Sequence, residues 1–175
     1  KMLSKKKVGE GVTIRDEEDN KIWSVIKQYD KSSYNPNSSC IGYGIDVFQE
    51  SINKTFREYL VNYSYLTRLM ENYGFVLIKA DELKRIGLAS SVGSFYALHT
   101  KMNADIKKNP RTKNNYGSAP KMNADERTIS FLNSYFIYKK VRNVDASAIS
   151  RQQIGSTLDE ELSEEKETSL AREAV

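Results

Sequence analysis

At 175 residues, 39% hydrophobic and 29% charged, the chain is sized for one soluble domain with a tail. No apolar run approaches the ~20 residues needed to span a bilayer, and KMLSKKK at the start leads into no apolar h-region, which excludes a signal peptide. The net charge of +4 is split unevenly: residues 1–150 carry 24 Lys and Arg against 16 Asp and Glu, whereas residues 151–175 carry 3 against 7. A basic body with an acidic tail is compatible with a nucleic-acid partner, and equally with a plain lysine-rich surface. Position 1 is Lys, not a start methionine, so the sequence reads as cut from a longer or processed chain.

Residues 1–20 begin basic, turn through Gly9 and Gly11, and end in DEEDN, which predicts a helix end or short strand followed by a polar turn. KIWSVIKQYD, residues 21–30, alternates in the manner of a strand. SSYNPNSSC, residues 32–40, is turn chemistry centred on Asn35-Pro36, and IGYGIDVFQ, residues 41–49, resumes the extended pattern. Two such runs across a short loop predict an antiparallel hairpin. Gly42 and Gly44 fit a bulge or a close backbone approach, because no phosphate-loop frame follows them. Cys40 has no partner base nearby in sequence and reads as a structural thiol, and with one Cys and one His, His99, neither a disulfide nor an ordinary zinc site can be built.

Phe56, Tyr59, Leu60, Tyr63, Leu66, Met70 and Tyr73 recur at three- and four-residue spacing, predicting an amphipathic helix over 56–73. Thr55 and Glu58 fit a T-x-x-E capping box, and Gly74 stands where a C-terminal glycine stop belongs. FVLIK, residues 75–79, then predicts a buried strand, and a helix joined to a strand through one glycine is the αβ unit of a layered α/β domain. Downstream, DELKRIGL and SFYALHTKMNADIKK predict two helices, with His99 an exposed residue of the second. Residues 109–120 form a polar, basic loop, and 125–141 pass from a short helix or turn into the β-prone SYFIYKKV. The pentapeptide KMNAD occurs at 101–105 and 121–125 without making a repeat architecture. Two units follow: a folded body over 1–150 and an acidic tail over 151–175, expected to be disordered or marginally helical.

No Ser/His/Asp set, metal cluster or paired carboxylates emerge. What the sequence offers is a means to hold a flat base: 11 Tyr, 6 Phe and 1 Trp, a basic surface, and one acid beside aromatics. Bases are held by stacking on rings and identified at their edges. Guanine presents adjacent N1–H and N2–H donors that one carboxylate accepts together.

IGYGIDVFQESINKTFREYLVNYSYLTRLMENYGFVLI, together with ISFLNSYFIYKKVRNV, resembles the substrate-recognition half of the mRNA cap guanine-N7 methyltransferases. The likeness is greatest to the capping enzymes of large nucleocytoplasmic DNA viruses, and it runs from about 20 to 145 through EYLV, YGF and LNxYFIYKKV in that order. It implies the C-terminal portion of a Rossmann-like, S-adenosylmethionine-dependent methyltransferase sheet, with an antiparallel hairpin insertion and incomplete without an upstream half. It implies that Glu58, in EYLV, accepts from the cap guanine edge. Tyr135, in NSYFIY, is then the final-strand tyrosine of the cap pocket, with Asn133 the alternative two residues away. Tyr59, Tyr63 and Tyr73 are left as helix–sheet packing.

The glycine-rich turn and acid that hold S-adenosylmethionine in such enzymes have no counterpart here, so the resemblance implies a chain inactive by itself. Capped mRNA is the implied partner, with upstream triphosphatase or guanylyltransferase domains or a stimulatory subunit as others. The implied location is the host cytoplasm, in viral factories, or the virion. A non-catalytic RNA-binding module and a regulatory remnant acting through its acidic tail are the rival readings.

Overall fold

The computed structural model describes residues 2–153 and 155. The chain is mixed α/β, and every strand pair in it is antiparallel. Its first half is a four-stranded meander of β1 (Gly11–Arg15), β2 (Lys21–Lys27), β3 (Gly44–Gln49) and β4 (Lys54–Tyr59), in that spatial order. The turn between β1 and β2 is tied by Asp16, whose carboxylate accepts from the backbone N–H of Glu18 and Asn20. The expected β2–β3 hairpin is present, with Val25 opposite Val47 and Lys27 opposite Ile45. Within its connection lies a 3-10 turn, Ser38–Cys40, capped by Asn37, which buries the free thiol of Cys40.

The second half begins with α1 (Tyr63–Asn72), β5 (Phe75–Leu77) and α2 (Ala80–Arg85). It continues through β6 (Val92–Ser94), α3 (Phe95–Lys108), two 3-10 turns (Pro110–Tyr116 and Ala119–Lys121) and α4 (Ala124–Ser130), then ends in β7 (Ser134–Phe136) and β8 (Tyr138–Lys140). The last strands are one run interrupted at Ile137: β7 pairs with β6 and β8 pairs with β5. Residues 146–153 are helical, so the boundary drawn at 150 falls within a helix, and the rest of the acidic tail lies outside the described residues.

The core is the inner face of the meander. Leu3, Trp23, Val25 and Val47 are buried together, with Met2, Val12, Ile14, Ile45 and Ile129 against them. Trp23 is 1% exposed and its indole N–H donates to the Asp125 carbonyl at 3.3 Å, so a single side chain joins the sheet to α4.

Two expectations about 54–79 are corrected. The helix does not start at 56: residues 54–59 form β4, and α1 begins at Tyr63 behind Asn62, whose side chain accepts from the Tyr65 N–H at 3.3 Å. Thr55 and Glu58 therefore form no capping box. Thr55, Phe56 and Tyr59 suit a pleated strand as well as a helix, and the turn at Asn53 (φ 52°) returns the chain along β3, where six residue pairs and the Arg57–Asp46 ion pair hold it extended. The helical spacing through Phe56 and Tyr59 is the coincidence of a period-2 run meeting a period-3.6 run. The second correction concerns β5, which is short and half-buried, with Leu77 37% exposed, because it pairs only with β8. Gly74 does end α1, at φ 85°; a β-carbon there would collide with the Arg142 carbonyl oxygen.

Candidate nucleobase-recognition site

Residues opposite one another in an antiparallel ladder share a face. Lys27, Ile45 and Glu58 therefore form one row on the inner face of the meander, and Val25, Val47 and Phe56 form the next. Burial fails along these rows. Val25 and Val47 are buried, but every residue of β4 is exposed, Phe56 by 47%. Glu58 thus stands on the core-facing side of the sheet where the core has ended, and its carboxylate has neither a hydrogen bond nor an ion pair among the described residues.

Beside Glu58 lies a wall of tyrosines. Tyr43, two residues before Ile45, is on the same face and 2% exposed. It packs Tyr29 at 4.7 Å and Tyr34 at 4.9 Å between ring centroids, and its hydroxyl donates to the Ser33 carbonyl. Tyr34 keeps 39% of its surface exposed. Burial in this cluster, with Cys40 and then Tyr43 as neighbours, pushes its phenol up to about 12. Lys27 is buried behind the wall, with its Nζ donating to the Lys6 carbonyl at 3.0 Å and lying 4.7 Å from the Tyr29 ring. A carboxylate on a sheet row beside an aromatic cluster can accept from the polar edge of a base while a ring covers its face.

Within the second half, Tyr63 faces Phe136 at 6.3 Å and Phe136 faces Tyr138 at 5.7 Å. The Tyr138 and Thr67 hydroxyls lie 2.9 Å apart, joining β8 to α1. Phe136 is 52% exposed. Tyr63 is thus helix–sheet packing as expected, whereas Tyr59 is 60% exposed on β4 and packs nothing of the kind. Tyr73 instead joins the helical 146–153 segment, donating to Gln153 Oε1 at 3.2 Å.

Tyr135 occupies a different place from Glu58. It lies on β7, its hydroxyl donates to the Ser90 carbonyl at 3.1 Å, and its ring lies against Gly93, where a β-carbon would come within 2.7 Å. No hydrogen bond, ion pair or ring contact joins it to Glu58 or to the tyrosine wall. Asn133 follows α4, its side-chain amide donating to the Ile129 and Ser130 carbonyls. The neighbouring final-strand residue that packs against α1 is Phe136. Tyr34 and Phe136 were passed over in the sequence because one stood in a turn-rich loop and the other in a run of aromatics without a fixed register.

Away from Glu58, a concavity of about 620 Å³ opens between α3, α4 and the 110–121 turns, walled by Leu98, Met102, Met122 and Phe131. His99 is half-buried there, its ring edge-on to Phe131 at 5.2 Å, not exposed as expected. Lys101 bonds Asp105 at 2.7 Å and Tyr116 bonds the same oxygen at 2.9 Å, which holds the Asp105 carboxyl below its ordinary range. Lys101, Asp105 and Tyr116 thus satisfy one another.

Among the described residues no group of His, Cys, Asp and Glu could hold a metal ion, and no helix is long and apolar enough to cross a membrane. The residues present do not fit a methyl-donor nucleoside: the turn of β6 into α3 carries only Gly93, and Tyr135 fills the space beside it. No family model, curated protein or solved structure matches the chain.

Proposed function

We propose that this chain is the cap-guanine recognition part of an mRNA (guanine-N7) methyltransferase of the viral capping-enzyme kind. The observation that carries the reading is Glu58: an unpaired carboxylate on the open end of a core-facing sheet row, beside the tyrosine wall. In this reading Glu58 accepts from guanine N1–H and N2–H, with Tyr34 as the part-exposed ring of the tyrosine wall. Tyr135 contributes by fixing β7 against β6. The order of hairpin, EYLV strand, helix, YGF strand and final antiparallel strand supports the finer fold reading, the C-terminal portion of a Rossmann-like methyltransferase sheet.

S-adenosylmethionine would be bound by an upstream segment, and the reaction would move its methyl group to N7 of GpppN-capped RNA. This chain's share of that reaction is binding and orientation, which in a transfer between two pre-aligned reactants is the main protein contribution. Linked to the segment encoded upstream, the polypeptide should methylate capped RNA. Losing one charge-assisted hydrogen-bonding group costs about 1.5–3 kcal/mol, so Glu58→Ala should lower kcat/KM by roughly tenfold or more with an unchanged melting temperature. Near-normal methylation by that variant would overturn the assignment.

One observation favours a second reading, a cap-independent RNA-binding surface. Lys107, Lys108, Arg111 and Lys113 are all exposed along the end of α3 and the following turn. That surface predicts RNA affinity that falls steeply with salt and is indifferent to a free cap analogue; competition by the analogue would count against it.

A further inference from the structure

Strand β4 is a sheet edge with nothing paired to its outer side among the described residues, and its sequence is complementary to itself. The Leu60 N–H donates to the Tyr43 carbonyl at 3.0 Å, which makes 43 and 60 a hydrogen-bonded pair of the β3 ladder. Hydrogen-bonded pairs recur at every second residue. Residues 54, 56 and 58 therefore commit their backbone groups to β3, and residues 55, 57 and 59 turn theirs outward. All six residues, Lys54–Tyr59, are exposed, and no proline, bulge or covering element protects the edge.

From this geometry we infer that two copies of the chain associate through β4, antiparallel about a two-fold axis at Phe56. The axis is fixed by the outward backbone groups: Thr55 of one copy and Arg57 of the second then form a hydrogen-bonded pair, and so do Arg57 and Thr55. In that register Phe56 meets Phe56 of the second copy across the axis. Lys54 meets Glu58 of the second copy, and Glu58 meets its Lys54. Two opposite-charge pairs thus flank one aromatic pair, all on the core-facing side. The apolar row Val25, Val47, Phe56 continues across the axis into its own mirror, and the two meanders become one sheet. Any register shifted by two residues loses the aromatic pair and both charge pairs together.

The inference goes beyond cap recognition and competes with it for Glu58, which in the dimer is paired with Lys54 of the second copy, and it has a different readout, mass instead of ligand. Sedimentation equilibrium of the 175-residue chain should give a concentration-dependent dimer. Thr55→Pro removes an outward N–H that β3 does not use, so it should give a monomer with an unchanged circular dichroism spectrum. Lys54→Glu and Glu58→Lys should each raise the dimer dissociation constant about tenfold or more, since each puts like charges opposite one another. The double exchange Lys54→Glu/Glu58→Lys should restore dimerisation. A wild-type chain that stays monomeric at all concentrations overturns the inference. So does a dimer that Thr55→Pro leaves intact, or single charge reversals without effect.

Discussion

The two halves of the molecule solve the same problem differently. The meander over 11–59 is held by long, regular ladders and one buried row of side chains, whereas residues 63–140 use helices joined by three-residue strand pairs. In the first half stability comes from area removed from water, and in the second from caps and point contacts such as Lys139 to Glu82 at 2.6 Å or Arg142 to the Glu71 carbonyl at 2.7 Å. Glu58 and the tyrosine wall belong to the sheet half, whereas the exposed Phe136 belongs to the second, where it packs against Tyr63 and Tyr138.

That contrast is most easily broken at Trp23. Trp23→Ala empties the centre of the meander and removes its bond to Asp125, and should cost about 3–5 kcal/mol in denaturant unfolding. A loss under about 1 kcal/mol would mean that the sheet is not the stability centre. In the second half the largest single effect should come from backbone geometry. Gly74→Ala forces a positive φ and a collision with Arg142, and should cost about 1–3 kcal/mol. Next is the corrected helix start: Asn62→Ala should cost about 1 kcal/mol as the loss of a true cap, whereas Thr55→Ala leaves the helix content of α1 unchanged. The reverse ranking would return the helix to 56.

The smallest effect separates the halves by pH. Asp46 is held below its ordinary range first by the hydrogen bond from Arg57, and Glu82 first by that from Lys139. A carboxyl lowered on folding contributes stability above its unfolded value of about 4, and that contribution is lost as pH falls through the folded value. Asp46→Asn should flatten the acid limb of meander unfolding, and Glu82→Gln that of the second half, as read by amide exchange in each. Both groups are solvent-exposed, so the slopes should also weaken with salt.

The meander was largely legible because alternation over KIWSVIK and GIDVFQ is a local signal, and the Asn35-Pro36 loop marks the reversal between them. The start of α1 was not. KTFREY satisfies both periods, and only its pairing with β3, a contact distant from any local rule, decides for a strand. Helices α2 and α3 fall within DELKRIGL and SFYALHTKMNADIKK with shifted ends, α2 starting at Ala80 and α3 at Phe95 behind Ser94. Of the site, the sequence pointed to Glu58 but gave its local partner as a helix terminus, when its neighbours are the open sheet row and the tyrosine wall. Tyr135 was singled out from a run of aromatics in which strand alternation, invisible without register, turns Phe136 toward Tyr63 and Tyr135 toward Gly93.

The central claim is that Glu58 reads a guanine edge. It is tested most directly by titrating the ¹⁵N-labelled chain with GpppG and following the amide resonances of β4 and the tyrosine wall. The account predicts saturable shifts at Glu58, Leu60 and Tyr34 that disappear in Glu58→Ala and are not produced by ApppA. Shifts confined to the 107–113 surface, or a Glu58→Ala chain that responds as the wild type does, would contradict it.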